Sequence, residues 1–294
     1  MKKSHLNRTT AVELKAVEGA DGFRDLNRDI IDNIQNMKCE KIKEEKKNNK
    51  LSFLLSGCDE VFANTIRRLI IEEVPTLAIE DVEVKDNSSA LYDEMLALRL
   101  GLMPIKTDLK SYRLPLNEDE VKEKSASCTL QLKLKSSKKG YVYAKEAESA
   151  DPKCTFVFEE TPIVKLLSKQ KVDLVMTAVM GQGKVHTKWT PGLAFYKKEP
   201  VVKVGKVKNP AKIAELCTDG LFKVKGNTVE LVNDKVYESK LLDLYAEADE
   251  GITVDYTDKF IFNLESWGQL SCREILSKSA EILVKKAEEL EAQL

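Results

Sequence analysis

The chain is short of the residues that most often do chemistry. Among 294 residues there are two histidines, His5 and His186, far apart in sequence. The six cysteines, Cys39, Cys58, Cys128, Cys154, Cys217 and Cys272, are scattered and form no CxxC pair. A zinc or iron–sulfur site needs several thiolates or imidazoles at close spacing, so a metal enzyme is not expected. A disulfide scaffold does not suit a chain this long with a reducing address. No run of about 18 apolar residues is present, which excludes a spanning helix. The opening MKKSHLNRTTAVELK has two lysines with no apolar stretch behind them, unlike a signal peptide. A cytoplasmic protein is therefore expected. Net charge is also missing: 47 Lys and Arg against 48 Asp and Glu. Strong nucleic-acid affinity comes from an excess of basic residues, so the whole chain lacks it. The same balance speaks against a membrane-surface protein. There is no aspartate triad for Mg²⁺, no glycine loop to cradle phosphate and no Ser/His/Asp order, so no catalytic residue is assigned.

Apolar residues make up 43% of the chain, enough for two compact domains or one domain with insertions. Residues 1–36 read as a polar extension. RDLNRDIIDNIQNM offers a short helix, with Ile30, Ile31 and Ile34 on one side, but a loosely ordered tail is the expected reading. The pattern sharpens at Met37. CEKIKEEKKNNKLSFLLSG suggests two strands joined at the turn-prone Asn48–Asn49. Ser56 with Asp59 offers a helix-start box. Phe62, Ile66, Leu69 and Ile70 follow at helical spacing until Pro75. A strand over LAIEDVEV, a loop at KDNSS and a short helix over DEMLALRLG come next. Residues 107–126 look like a loop. CTLQLKLKSSKKGYVYAKE alternates like a hairpin, with further strands at CTFVFEE and KVDLVMTAVM and a turn at Gly181–Gly183. Residues 202–256 form a separate stretch, with a helix at AKIAELC and a hairpin around Gly226–Asn227.

The last helix carries the most telling pattern. Ser271 with Glu274 is a second start box. Leu276, Ala280, Leu283, Ala287, Leu290 and Leu294 then recur at steps of 4, 3, 4, 3 and 4, a two-heptad seam widened by Ile275 and Ile282. Such a seam needs a cover. The Phe62–Ile70 helix can supply part of it, but two helices are half of a four-helix bundle. A partner with a similar pair would complete it. The alternative is that both helices simply pack on this chain's own sheet.

Residues 61–108, VFANTIRRLIIEEVPTLAIEDVEVKDNSSALYDEMLALRLGLMPIKTD, resemble the signature block of the RNA polymerase D subunit family, the archaeal relatives of the bacterial α subunit and the eukaryotic third-largest subunit. The resemblance continues at TPIVKLLSKQKVDLVMTAVMGQGKVHTKWTPGLAFY and closes with FIFNLESWGQLSCREIL and the terminal helix. It covers about 37–201 and 257–294, and three blocks in order are far more specific than one short motif. It implies an α+β fold. An interrupted dimerisation domain would lie in 37–77, 191–201 and 257–294, and a mostly β insert domain in 78–190. It implies a scaffold that pairs with the small L subunit and, with subunits N and P, carries the large catalytic subunits. DNA would be met only indirectly, inside that nucleotidyltransferase complex.

The resemblance also assigns residues. Phe62, Ile66, Leu69, Ile70, Leu276, Ala280, Leu283, Ala287 and Leu290 would form the dimer helices. Asn64, Arg67, Arg68, Asn87, Ser88, Ser89, His186, Lys188 and Trp189 would dock a large subunit. Read alone, Arg67 and Arg68 would be a solvated basic edge beside Glu72 and Glu73, and Asn87–Ser89 a loop that bonds its own backbone. Gly181, Gly183, His186, Lys188 and Trp189 read as a turn and an exposed edge. Many members of the family carry a ferredoxin-like insertion with clustered cysteines. Here 202–256 holds only Cys217, which cannot bind a cluster alone, so a degenerate insertion without cofactor is expected. The loop 107–128 holds only Cys128, so no zinc loop is expected. A ferredoxin-type redox subunit, a free-standing nucleic-acid-binding dimer and a homodimer are the competing functions. The first fails on cysteine count, the second on charge.

Overall fold

The computed structural model describes residues 37–226, 228–232 and 235–293. The helix suggested around Ile30, Ile31 and Ile34 lies outside them. In chain order the elements are β1 (Lys38–Glu45), β2 (Lys50–Ser56), α1 (Glu60–Glu72), β3 (Thr76–Asn87), α2 (Asp93–Gly101), α3 (Glu118–Lys122), β4 (Thr129–Ser136), β5 (Gly140–Tyr143) and β6 (Glu148–Ser149). They continue with β7 (Pro162–Leu166), β8 (Val172–Gly181), β9 (Gly192–Val204), α4 (Pro210–Leu216), β10 (Phe222–Lys225), β11 (Thr228–Leu231), α5 (Leu242–Ala248), β12 (Ile252–Ser266) and α6 (Cys272–Glu291). The described strand pairs are antiparallel and the helices pack to the side of the sheets, which is an α+β fold.

One four-stranded sheet runs β1-β2-β12-β9 and gathers strands from distant parts of the chain. Alternation along β2 and β12 sends Phe53, Leu55, Phe260, Phe262 and Leu264 to one face. Phe53 stands opposite Phe262 in the register, and their rings stack 5.1 Å apart. That face is covered by α1 and by the first half of α6. β9 and β12 then continue past a bulge between Tyr256 and Phe260 and carry a third unit at their far end. Ile213, Phe222, Leu242, Tyr245 and Ile252 form its own small core.

The second four-stranded sheet runs β3-β8-β4-β6. Leu130, Leu132 and Leu134 share its buried face, as their alternation requires. The expected hairpin between β4 and the Tyr141–Tyr143 strand does not form. Both edges of β4 are already taken, by β8 and β6, so β5 pairs with β7 instead. CTFVFEE is not a strand either. Phe156 makes one isolated bridge to Ile105. Pro104 next to it has no N–H to extend the ladder. The polar stretch 107–126 contains a helical turn that the composition hides: the Asn117 side chain caps α3 by accepting from Glu120 N. The β1–β2 connection is as expected, with Asn49 left-handed at φ 51°. The α1 cap is Asp59, whose Oδ1 accepts from Phe62 N at 2.7 Å, while Ser56 ends β2.

Candidate partner-binding face

The closing helix starts with its full capping box. Ser271 Oγ accepts from Glu274 N and Glu274 Oε2 accepts from Ser271 N at 2.9 Å. Arg273 ties this first turn to β1 through Glu44, Nη2 to Oε2 at 2.9 Å. The hydrogen bonds from Arg273 and Lys41 hold the Glu44 carboxyl down at about 2. On the inward side Ile275 and Ser279 are fully buried. The Ser279 hydroxyl donates to Leu276 O at 2.8 Å, so it brings no unpaired donor into the core. Ile282 and Leu283 are half-buried against the same core. Among the described residues the last tether to the rest of the chain is Lys286 Nζ on Glu73 Oε1 at 2.8 Å.

The seam read from the sequence therefore divides. At 100° per residue, the face that packs inward (Ile275, Ser279, Ile282) is centred roughly 90° away from the heptad seam. Leu276 and Leu283, at the middle of the seam and on the packed half of the helix, are half-buried, whereas Ala280, Ala287 and Leu290 are exposed. Val284 joins them at 57% exposure, with Leu290 at 61%. On α1, Ile66, Leu69 and Ile70 are buried in this chain's own core and Phe62 is half-buried. Val61, absent from the sequence-based set, is 73% exposed. A groove of about 390 Å³ runs between the two helices, lined by Val61, Thr65, Leu69 and Leu283 among others. Val284 was legible in principle, since Ala280, Val284, Ala287 and Leu290 form their own stripe at steps of 4, 3 and 3.

The polar residues assigned to docking lie at three places. Asn64 Oδ1 accepts from Arg67 Nε at 3.0 Å, and Arg68 pairs with Glu72 one turn on. Arg68 leaves its charge on the surface, 60% exposed, and such a pair contributes little stability. Asn87 orders its own loop: its Nδ2 donates to Leu91 O and Asp93 Oδ1, and its Oδ1 accepts from Ser89 N and Oγ. Ser88 bonds back and forth with Lys171. Trp189 is not on an exposed edge. It is 7% exposed, its Nε1 donates to Val179 O, and its carbonyl accepts from Thr76 Oγ1. The large ring finds its cover under the Gly181 turn, where a Cβ would meet it at 2.4 Å. Lys188 stacks on this ring and bonds Ile79 O and Glu80, while His186 stays exposed.

Glu73 joins these regions. Its Oε2 accepts from Gln182 Nε2 and Lys184 Nζ, both at 3.1 Å, while Oε1 takes Lys286. Burial pushes its carboxyl up, but the bonds and charges of Lys286 and Lys184 pull further and hold it below the ordinary range. In the third unit Cys217 is occupied by local bonds: Phe222 N donates to its sulfur at 3.2 Å, beside Asp219. Among the described residues no group of three or more His, Cys, Asp or Glu is placed to hold a metal ion. No described helix is long and apolar enough to cross a membrane.

A sheet covered on one face by two helices, one of them bare along its outer half, has the architecture of a dimerisation domain. The chain matches the RNA polymerase Rpb3/Rpb11 dimerisation domain over residues 52–287, and it belongs to that family. It is 35% identical over 252 residues to the DNA-directed RNA polymerase subunit Rpo3 of Methanosarcina acetivorans, covering 84% of this chain and 94% of that one. The same subunit of Pyrococcus furiosus is 34% identical over 257 residues, 85% of this chain and 95% of its own. That of Methanothermobacter thermautotrophicus is 33% identical over 262 residues, 84% and 96% of the two chains.

Proposed function

We infer that this chain is a non-catalytic assembly subunit of a DNA-directed RNA polymerase, which pairs through α1 and α6 with the small L subunit. The observation that carries this reading is the apolar stripe Ala280, Val284, Ala287 and Leu290, left open on the closing helix of a member of this dimerisation family. Fully burying a valine or leucine is worth at most about 1.5–3 kcal/mol and an alanine methyl about 0.8 kcal/mol, so the stripe favours a second chain over water. In this reading the dimerisation domain comprises 37–77, 191–201 and 257–294, with 78–190 inserted in it. Residues 202–256 are a ferredoxin-like insertion kept as structure without a cluster. Residues 1–36 are an N-terminal extension.

The heterodimer then serves as the platform for the large catalytic subunits, together with N and P, in the cytoplasm. Asn64, Arg67 and Arg68 on α1, the Asn87–Ser89 loop and the rim formed by exposed His186 and half-buried Lys188 are the surfaces for that docking. Trp189 supports the last of them from beneath. The chain contributes no catalytic residue and no cofactor. A redox role draws no support from the single insertion cysteine.

The test is co-expression with the L subunit, followed by size measurement and a pull-down from native lysate. A 1:1 complex that brings the large subunits along is the expected result. A monomer that ignores all of them, or a stable homodimer, overturns the assignment.

A further inference from the structure

The open stripe is useful to a partner only if α6 holds one rotation about its axis. Up to Leu283 the sheet and α1 fix that rotation by packing. Every described residue from Val284 onward is exposed, so packing alone says little about where the distal two turns point. Lys286 is the one side chain in that distal stretch that bonds to another element, among the described residues. Its ammonium reaches Glu73, which caps the C-terminus of α1.

A carboxylate is poorly placed there on helix grounds alone. The C-terminus of a helix carries negative partial charge, which favours a cation. Glu73 is nonetheless only 13% exposed in its side chain and ionised. Three donors from two directions compensate it: Lys286 from α6, with Lys184 and Gln182 from the turn that follows β8. That turn is pressed against α1, since a Cβ on Gly183 would lie 2.0 Å from Ile71 O. The carboxylate is thus held rigidly by the turn on one side and offers its other oxygen to α6.

We propose that Glu73 is a positioning residue for partner binding: held by Lys184 and Gln182, it clasps Lys286 and so fixes the rotation at which the distal half of α6 presents its apolar stripe. This rests on the reading of α6 as a partner-binding helix. It adds a specific polar group outside the apolar contact, and it ties the helix face to the 182–189 turn. A partner helix loses less ordering entropy on a surface already set in place.

The test uses the full chain in three forms: wild type, Lys286→Met and Lys184→Met. Lys286→Met keeps the aliphatic stem and removes the clasp. Its melting should fall only slightly, because Lys184 and Gln182 still compensate the Glu73 carboxylate. Hydrogen exchange of the 284–291 amides in the isolated chain should rise several-fold. Affinity for purified L subunit should fall about tenfold, between the values for a surface pair and a buried one. Lys184→Met should leave the helix exchange nearer wild type, since Gln182 still holds Glu73. Unchanged exchange and unchanged affinity in Lys286→Met overturn the clasp while leaving the assembly role intact. A wild-type chain that does not bind L subunit overturns the assembly role, and the positioning role with it.

Discussion

The two four-stranded sheets of this chain solve the same problem with opposite outcomes. The β3-β8-β4-β6 sheet buries its apolar face within its own unit. Leu96 and Leu100 of α2, Leu132 and Leu134 of β4, Met176 of β8 and Ile163 of β7 are all within 1% of full burial. The β1-β2-β12-β9 sheet is covered as tightly under α1 and the start of α6, where Ile70 and Ile275 are fully buried. Its cover then runs out, and the second half of α6 extends past it with Val284 and Leu290 in water. A closed core is a matter of folding alone. An open one makes part of the stabilisation conditional on another polypeptide, which is how mass action links the fold of a subunit to its assembly.

The difference between the sheets can be broken most forcefully from the closed side. Leu134→Ala empties a site with no exposure. It should cost about 2–5 kcal/mol of stability. That loss, read by denaturant unfolding, should be the same with and without the L subunit. A loss that the partner rescues in full would mean that this sheet, too, is completed from outside.

Next in size is the open side. The sequence pattern singles out Leu283, but that residue is half-buried in its own core, so a charge there would disturb folding and binding together. Leu290, 61% exposed, separates the two. Leu290→Asp should change the stability of the isolated chain by less than about 0.5 kcal/mol. Affinity for the L subunit should fall by about a hundredfold or more, because an unpaired charge would be buried in the contact. If the complex forms as before, the stripe faces something other than this partner.

Much of the fold is legible in the amino-acid sequence. The strand pair with its Asn49 turn, α2 over DEMLALRLG, β8 and the capping box at Ser271 all follow from local chemistry that tertiary packing does not override. The failures share a cause. Leu130–Leu134 and Tyr141–Tyr143 alternate like a hairpin, yet pairing is decided by which edges distant strands have occupied. CTFVFEE alternates as well, but its neighbour across the bridge follows a proline. The heptad seam is real as a pattern. What it does not reveal is its rotation, because Ser279 carries no apolar signal and still faces the core as a small, internally bonded residue. Trp189 reads as surface from its polar neighbours, and only the glycine at 181 hints at the ring folded beneath the turn.

The smallest effect is expected where the open sheet meets the third unit. Glu199, at the end of β9's sheet portion, is 8% exposed. It accepts from Tyr237 Oη at 2.6 Å and Thr257 Oγ1 at 3.0 Å, with Lys259 Nζ at 3.6 Å. Burial raises its pKa, but the bonds from Tyr237 and Thr257 and the charge of Lys259 outweigh this, so the folded value lies below the ordinary one. A carboxylate depressed in the folded state gives its full stabilisation above the unfolded pKa, about 4.3 for glutamate. That stabilisation disappears as pH falls through the folded value. Glu199→Gln keeps an acceptor for Tyr237 and loses the charge, so it should cost roughly 1–2 kcal/mol at pH 7. The gap between variant and wild type should close toward pH 3. Because Tyr237 belongs to the segment beyond β11, exchange should quicken in 235–241 and leave β4 and β8 unchanged. Equal losses at pH 7 and pH 3 would show that Glu199 acts by shape rather than by charge, and the charged ties between the sheet and the third unit would then be those of Lys43 to Glu238 and Lys197 to Ser239 O.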